Sequence, residues 1–154
     1  MKTKIIISLL ALIFISGDFI GGCEEEEPNR GYITVIVNVS GAVYEKNEPG
    51  KPGVCITSLM TGLTVRIDID KTGGERVTYN KVTDENCRYE AGKTFFKLYR
   101  EQSINVVVKL QGGITGYTSD SGMATLNWAD VYPSVDFGEA YNWNPTFEIL
   151  YWKN

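Results

Sequence analysis

Thr64-Val65-Arg66-Ile67-Asp68-Ile69-Asp70, followed by Lys71-Thr72-Gly73-Gly74, is the stretch on which the fold turns. Val65, Ile67 and Ile69 alternate with Thr64, Arg66, Asp68 and Asp70, which is the period-two pattern of a strand with one face buried and one in water. Gly73-Gly74 supplies the positive φ angles that a tight hairpin needs before a second strand over 75–83. The same alternation runs outward in both directions. Over 32–40 it puts Ile33, Val35, Val37 and Val39 on one face, and further strands are predicted at 94–100, 103–110, 123–128 and 146–152. No helical period of useful length competes with it. Short strands rich in Val, Ile, Thr and Tyr, separated by Gly, Asn and Pro turns, predict an all-β chain folded as an antiparallel β-sandwich.

Length and charge narrow the classes of function. A chain of 154 residues with 43% hydrophobic and 22% charged residues suits one domain with a core. Its 15 Lys and Arg against 19 Asp and Glu argue against a nucleic-acid partner, which would require a positive surplus to neutralise phosphates. The sequence contains no His, so mechanisms and metal sites that depend on an imidazole are excluded.

Residues 1–22 read as an export signal: Lys2 and Lys4 open it and an apolar run follows over 5–16. That run falls short of the about 20 residues that cross a bilayer as a helix, and Asp18 closes it. The segment ends Ile20-Gly21-Gly22-Cys23, which resembles the lipobox of bacterial lipoproteins. The resemblance implies that Cys23 becomes the mature amino end, with a thioether-linked diacylglycerol and an amide-linked acyl chain such as palmitate. More than one chain makes anchoring stable, at about 0.8 kcal/mol for each buried methylene. The alternative is ordinary secretory cleavage that leaves Cys23 a free thiol. Behind it, Glu24-Glu25-Glu26-Glu27-Pro28-Asn29-Arg30 repels itself and buries nothing, so 23–30 is expected to be a lipidated, acidic tether. The acidic cluster resembles the signal that carries lipoproteins of one Gram-negative phylum to the outer face of the outer membrane. A periplasm-facing position, or a plain spacer, is the other reading. From Pro28 onward the chain has 13 positive and 14 negative charges, so the acidity belongs to the glutamate run before it.

The body, over 31–154, carries a second resemblance. Gly41-Ala42-Val43-Tyr44, the loop Glu48-Pro49-Gly50-Lys51-Pro52-Gly53-Val54, the strand over 64–70 and Val82-Thr83-Asp84-Glu85-Asn86-Cys87-Arg88-Tyr89 follow in order. This resembles the carboxypeptidase regulatory-like, transthyretin-like domain of bacterial surface lipoproteins, an immunoglobulin-like sandwich. The resemblance covers 31–110 and leaves 111–154 as an aromatic-rich extension. It implies a supporting, connecting or binding role. Where that family places Gly in its T-D-x-N-G-x-Y turn, this chain has Cys87, a residue that disfavours positive φ.

With Cys23 lipidated, an even pair is left. In an oxidising compartment Cys55 and Cys87 are expected to form a disulfide, which would also hold the turn at Cys87 without glycine. Two buried thiols or a redox-active pair are the alternatives.

Other chemistry is sparse. Asp68-x-Asp70-x-Thr72-Gly73 begins like a calcium loop, but its twelfth position is Tyr79 where a bidentate Glu is required. No metal or cofactor is expected. Asp84-Glu85-Asn86 reads as a turn, and the Asn38-Val39-Ser40 sequon sits inside a strand. Asp130, Asp136, Glu139 and Glu148 lie among aromatics, yet their spacing singles out no catalytic pair, so no enzymatic activity is expected. Trp128, Tyr132, Phe137, Tyr141, Trp143, Phe147, Tyr151 and Trp152 crowd into 25 residues. Phe147 and Tyr151 alternate along a strand like core residues. Trp128, Tyr132, Tyr141 and Trp143 are the candidate ligand-binding residues, because Pro133, Gly138, Asn142 and Pro145 place their segment partly in loops. The expectation is a lipid-anchored, non-catalytic binding accessory of the cell envelope, with glycan binding in nutrient uptake as the leading role. The alternative is a structural, adhesion or assembly component that pairs with another envelope protein through a sheet edge.

Overall fold

The computed structural model describes residues 31–46, 48 and 50–154. The export signal, Cys23 and the acidic tether lie outside the described residues. Alternation becomes strand, except that the run expected over 32–40 breaks at 38–39, so the Asn38-Val39-Ser40 sequon spans an interruption and the start of the next strand rather than a strand interior. The elements are β1 (Tyr32–Val37), β2 (Ser40–Glu45), a single-turn helix α1 (Thr57–Met60), β3 (Thr64–Lys71), β4 (Glu75–Val82), β5 (Arg88–Glu90), β6 (Thr94–Tyr99) and β7 (Ser103–Leu110). They continue with β8 (Tyr117–Ser119), β9 (Ser121–Asn127), α2 (Trp128–Val131), a 3-10 turn at Tyr132–Ser134, β10 (Ala140–Trp143) and β11 (Thr146–Lys153).

Two layers enclose the core. One is the ladder β4-β3-β7-β9, antiparallel throughout. Its hairpin between β3 and β4 turns at Gly73 and Gly74, with φ of 106° and 99°. The other layer consists of two ladders joined end to end, β6-β1-β10 and β5-β2-β11-β8. β1 and β2 form one line interrupted at 38–39, and β10 and β11 form another interrupted at 144–145. Asn38 N–H donates to Trp143 O at 3.0 Å and Ser40 N–H to Pro145 O at 3.2 Å, so the interruption is bridged. Pro145 falls at the break, where its missing N–H costs no ladder bond. These two lines run parallel, in register from Thr34 opposite Ala140 to Glu45 opposite Tyr151, while their other neighbours are antiparallel. Asp120 carries the chain from one layer to the other between β8 and β9. Its carboxylate accepts the Leu150 N–H at 2.8 Å.

The alternating residues fill the space between the layers as expected. Ile33, Val35, Val37, Val39 and Val43 meet Val65, Ile67, Ile69, Ile104, Val106 and Val108, all fully buried. Phe147 and Tyr151 join this core. At Gly41 the inward position has no side chain, and the space is taken by its two cross-strand neighbours, Tyr89 and Phe147. The Tyr89 hydroxyl passes over Gly41 to donate to Phe147 O at 3.1 Å, and burial pushes that phenol well above its ordinary pKa.

On the outer face of the β4-β3-β7-β9 layer, Asp68 and Asp70 are held by arginines. Arg66 grips Asp68 through Nε and Nη2 at 2.9 to 3.1 Å, and Thr78 Oγ1 donates to it at 2.7 Å. Burial works to raise the Asp68 pKa, but these hydrogen bonds and the Arg66 charge hold it below its ordinary value. Asp70 pairs with Arg76. The start of a calcium loop seen in the sequence is thus part of a cross-strand ion network.

Cys55 and Cys87 form a disulfide, with their Cα atoms 5.9 Å apart. Cys87 has a φ of 59°, the left-handed conformation that the glycine comparison predicts for this place. The turn is also held by Asp84, whose carboxylate accepts the N–H groups of Asn86 at 2.9 Å and Arg88 at 2.8 Å.

Candidate functional site

β9 ends one residue earlier than its pattern suggests, because Asp130 reaches back to Asn127. Its carboxylate accepts the Asn127 backbone N–H at 3.0 Å and the side-chain amide at 2.9 Å, which starts α2 at Trp128. Val131, fully buried, pins this turn to the core. Pro133 shapes the 3-10 turn that follows. The loop closes where Glu139 N–H donates to Asp136 O at 3.1 Å and Gly138 N–H to Tyr32 O at 3.2 Å.

Three rings come together on this loop. Trp128 and Tyr132 stack with centroids 4.2 Å apart and planes at 18°. Phe137 lies 5.4 Å from Tyr132 and 6.4 Å from Trp128. Trp128 is half-buried and packs on the core, so it acts as a base for the other two. Tyr132 and Phe137 are 45% and 52% exposed. Phe137 rests against Gly31, where a β-carbon would fall 2.3 Å from its Cδ1. Asp130, Asp136 and Glu139, all exposed, stand on the same loop. A continuous aromatic surface bordered by carboxylate acceptors can take a flat, partly apolar ligand that also carries hydroxyl donors.

The four candidate residues are therefore divided. Trp128 and Tyr132 share the patch. Tyr141 and Trp143 do not belong to it: expected partly in loops, they lie on strand β10, opposite Val35 and Val37 of β1, half-buried against the core. Phe137, which the sequence pattern does not single out, joins the patch; like Tyr132 it sits beside turn residues, here Asp136 and Gly138. Of the carboxylates, Asp130 caps α2 and Glu139 engages the Asp136 N–H at 3.4 Å. Glu148 is not on this loop but exposed on the outer face of β11.

Among the described residues no group of three metal-ligating side chains comes together, and no helix is long and apolar enough to cross a membrane. These observations define the class as an all-β sandwich with a disulfide and an exposed aromatic patch. No protein-family model matches the chain, and no curated protein aligns with it.

Proposed function

We propose that this protein is a lipid-anchored, non-catalytic binding accessory of the bacterial cell envelope, related to the carboxypeptidase regulatory-like lipoproteins and binding a glycan through Trp128, Tyr132 and Phe137. The observation that carries the binding role is the exposure of Tyr132 and Phe137 on a half-buried Trp128 base. Rings stack on the apolar faces of sugars, and a rigid platform loses little entropy on binding. The setting is supported by the likeness of Ile20-Gly21-Gly22-Cys23 to a lipobox, for an anchor at Cys23, and by the likeness of the acidic run behind it to a surface-export signal, for a body on the outer face of the outer membrane.

Removing both exposed rings together is expected to weaken oligosaccharide binding by tenfold or more, since two stacking contacts together are worth about 2 kcal/mol. A glycan array probed with the full chain and with Tyr132→Ala/Phe137→Ala checks this. Equal binding by the two proteins, or none by the wild type, would count against the patch. For the anchor, labelled palmitate is expected in the wild type and absent from Cys23→Ser, and that variant should leave the envelope fraction. Label retained in Cys23→Ser would sink the anchoring site.

A second reading, assembly through a sheet edge, has its own support. Val82, Phe95 and Met123 are exposed apolar side chains, and all three lie on edge strands, β4, β6 and β9.

A further inference from the structure

The outer face of β5, β2 and β11 holds a second concavity, away from the aromatic patch. Residues in register share a face of the sheet. Ser40 on the central strand stands between Glu90 and Thr146, and Ala42 between Arg88 and Glu148. Short side chains along the middle and long ones on both flanks make a trough of about 610 Å³, with Tyr44 further along its floor. Ala42 points outward yet is only 6% exposed, so the floor lies deep between the flanks.

The flanking groups have unused bonding capacity. Ala42 holds Arg88 and Glu148 two strand spacings apart, about 10 Å. Among the described residues neither the Arg88 guanidinium nor the Glu148 carboxylate has a side-chain hydrogen bond or ion pair. Glu90 has one contact, from the Asn38 amide at 3.4 Å. Arg88 is also well placed. Its N–H is held by the Asp84 carboxylate at 2.8 Å, and the residue before it is disulfide-bonded. A ligand would meet donors and acceptors whose backbone is already fixed.

Three kinds of ligand can be compared. Strand addition has no purchase, because β2 is paired on both sides by β5 and β11. A polycation meets Arg88 on one wall, and a polyanion meets Glu90 and Glu148, while Asp84, which also lines the trough, has its carboxylate engaged by the Asn86 and Arg88 N–H groups. A neutral chain rich in hydroxyls uses both signs at once, donating to the carboxylates and accepting from the guanidinium, with the Tyr44 ring available to a sugar face. The volume is within the range of small-molecule sites, about 300–1,000 Å³. We propose that this trough is a binding site for a short, uncharged oligosaccharide, held between Arg88 and Glu148 over Ala42. It uses none of the aromatic patch, which lies about 36 Å back along the strand line at Gly31, taking about 3.3 Å per residue from Ala42. The two sites can therefore fail separately.

The test uses the full chain in detergent, isotope-labelled for amide spectra and titrated with cellohexaose, xylohexaose, laminarihexaose and maltohexaose. At least one is expected to shift the amides of Ser40, Ala42, Arg88 and Glu148. Arg88→Gln and Glu148→Gln, both at exposed positions, should each weaken that binding by tenfold or more while the remaining spectrum is unchanged. Tyr132→Ala/Phe137→Ala should leave the trough shifts intact. The proposal is overturned if no hexasaccharide shifts these amides, if both Gln variants bind like the wild type, or if octalysine or polygalacturonate shifts them and the neutral sugars do not.

Discussion

Replacing Cys55 and Cys87 with serine is expected to cost the folded body roughly 3–4 kcal/mol, because the bond closes a loop of 32 residues in the unfolded chain. For a body of this size that corresponds to a fall in Tm of about 10–15 °C. A second effect lies within the first. Cys87 has a φ of 59°, and without the disulfide a serine there keeps the left-handed strain while a glycine does not. Cys55→Ser/Cys87→Gly should therefore be more stable than Cys55→Ser/Cys87→Ser by about 1 kcal/mol. Thermal and urea unfolding of the three proteins measure both. An unchanged midpoint in the double serine variant would show that the bond contributes nothing, and equal midpoints in the two reduced variants would show that the turn is unstrained.

Gly41→Ala is expected to be comparably damaging, at about 3 kcal/mol or more, although it adds one methyl group. An added β-carbon would lie 2.0 Å from the Phe147 carbonyl oxygen and 2.3 Å from the Tyr89 hydroxyl. Phe147 O belongs to the parallel ladder that joins β2 to β11, so it cannot withdraw without opening the middle of that layer. Tyr89→Phe in the same chain removes only the hydroxyl contact and should restore a minor part of the loss. Denaturant midpoints of the single and double variants decide the matter. A Gly41→Ala protein as stable as the wild type would mean that the two lines are not packed as described.

Much of this organisation is legible one segment at a time. The alternation over 64–70 and 32–40 assigns every inward residue correctly, because which face of a strand is buried is a property of its own period. Cys87 in a glycine position is legible too, since a left-handed turn and a bond partner explain each other. The aromatic segment is less so. Asn142 and Pro145 read as loop signals, but Asn142 is exposed within β10 and Pro145 marks the break before β11. The pairing of β10 with β1 makes the difference: it sets Tyr141 and Trp143 half-buried against the core, and nothing local announces it.

The trough could not be read from the chain at all. Arg88 and Glu148 are separated by 60 residues and become opposite walls only because both flank Ala42 in one sheet. The amino-acid sequence by itself determined that the chain makes strands, which side of each is apolar, and where the tight turns fall, because these follow from backbone preferences and a period of two residues; the disulfide is an expectation from the pair of cysteines left beside Cys23, which the structure joins. The tertiary structure alone decided which strands lie side by side, that the first and last lines run parallel, why Gly41 must lack a side chain, and which surface groups face one another. Those are matters of register and burial between distant segments, and no local pattern encodes the neighbour across a sheet.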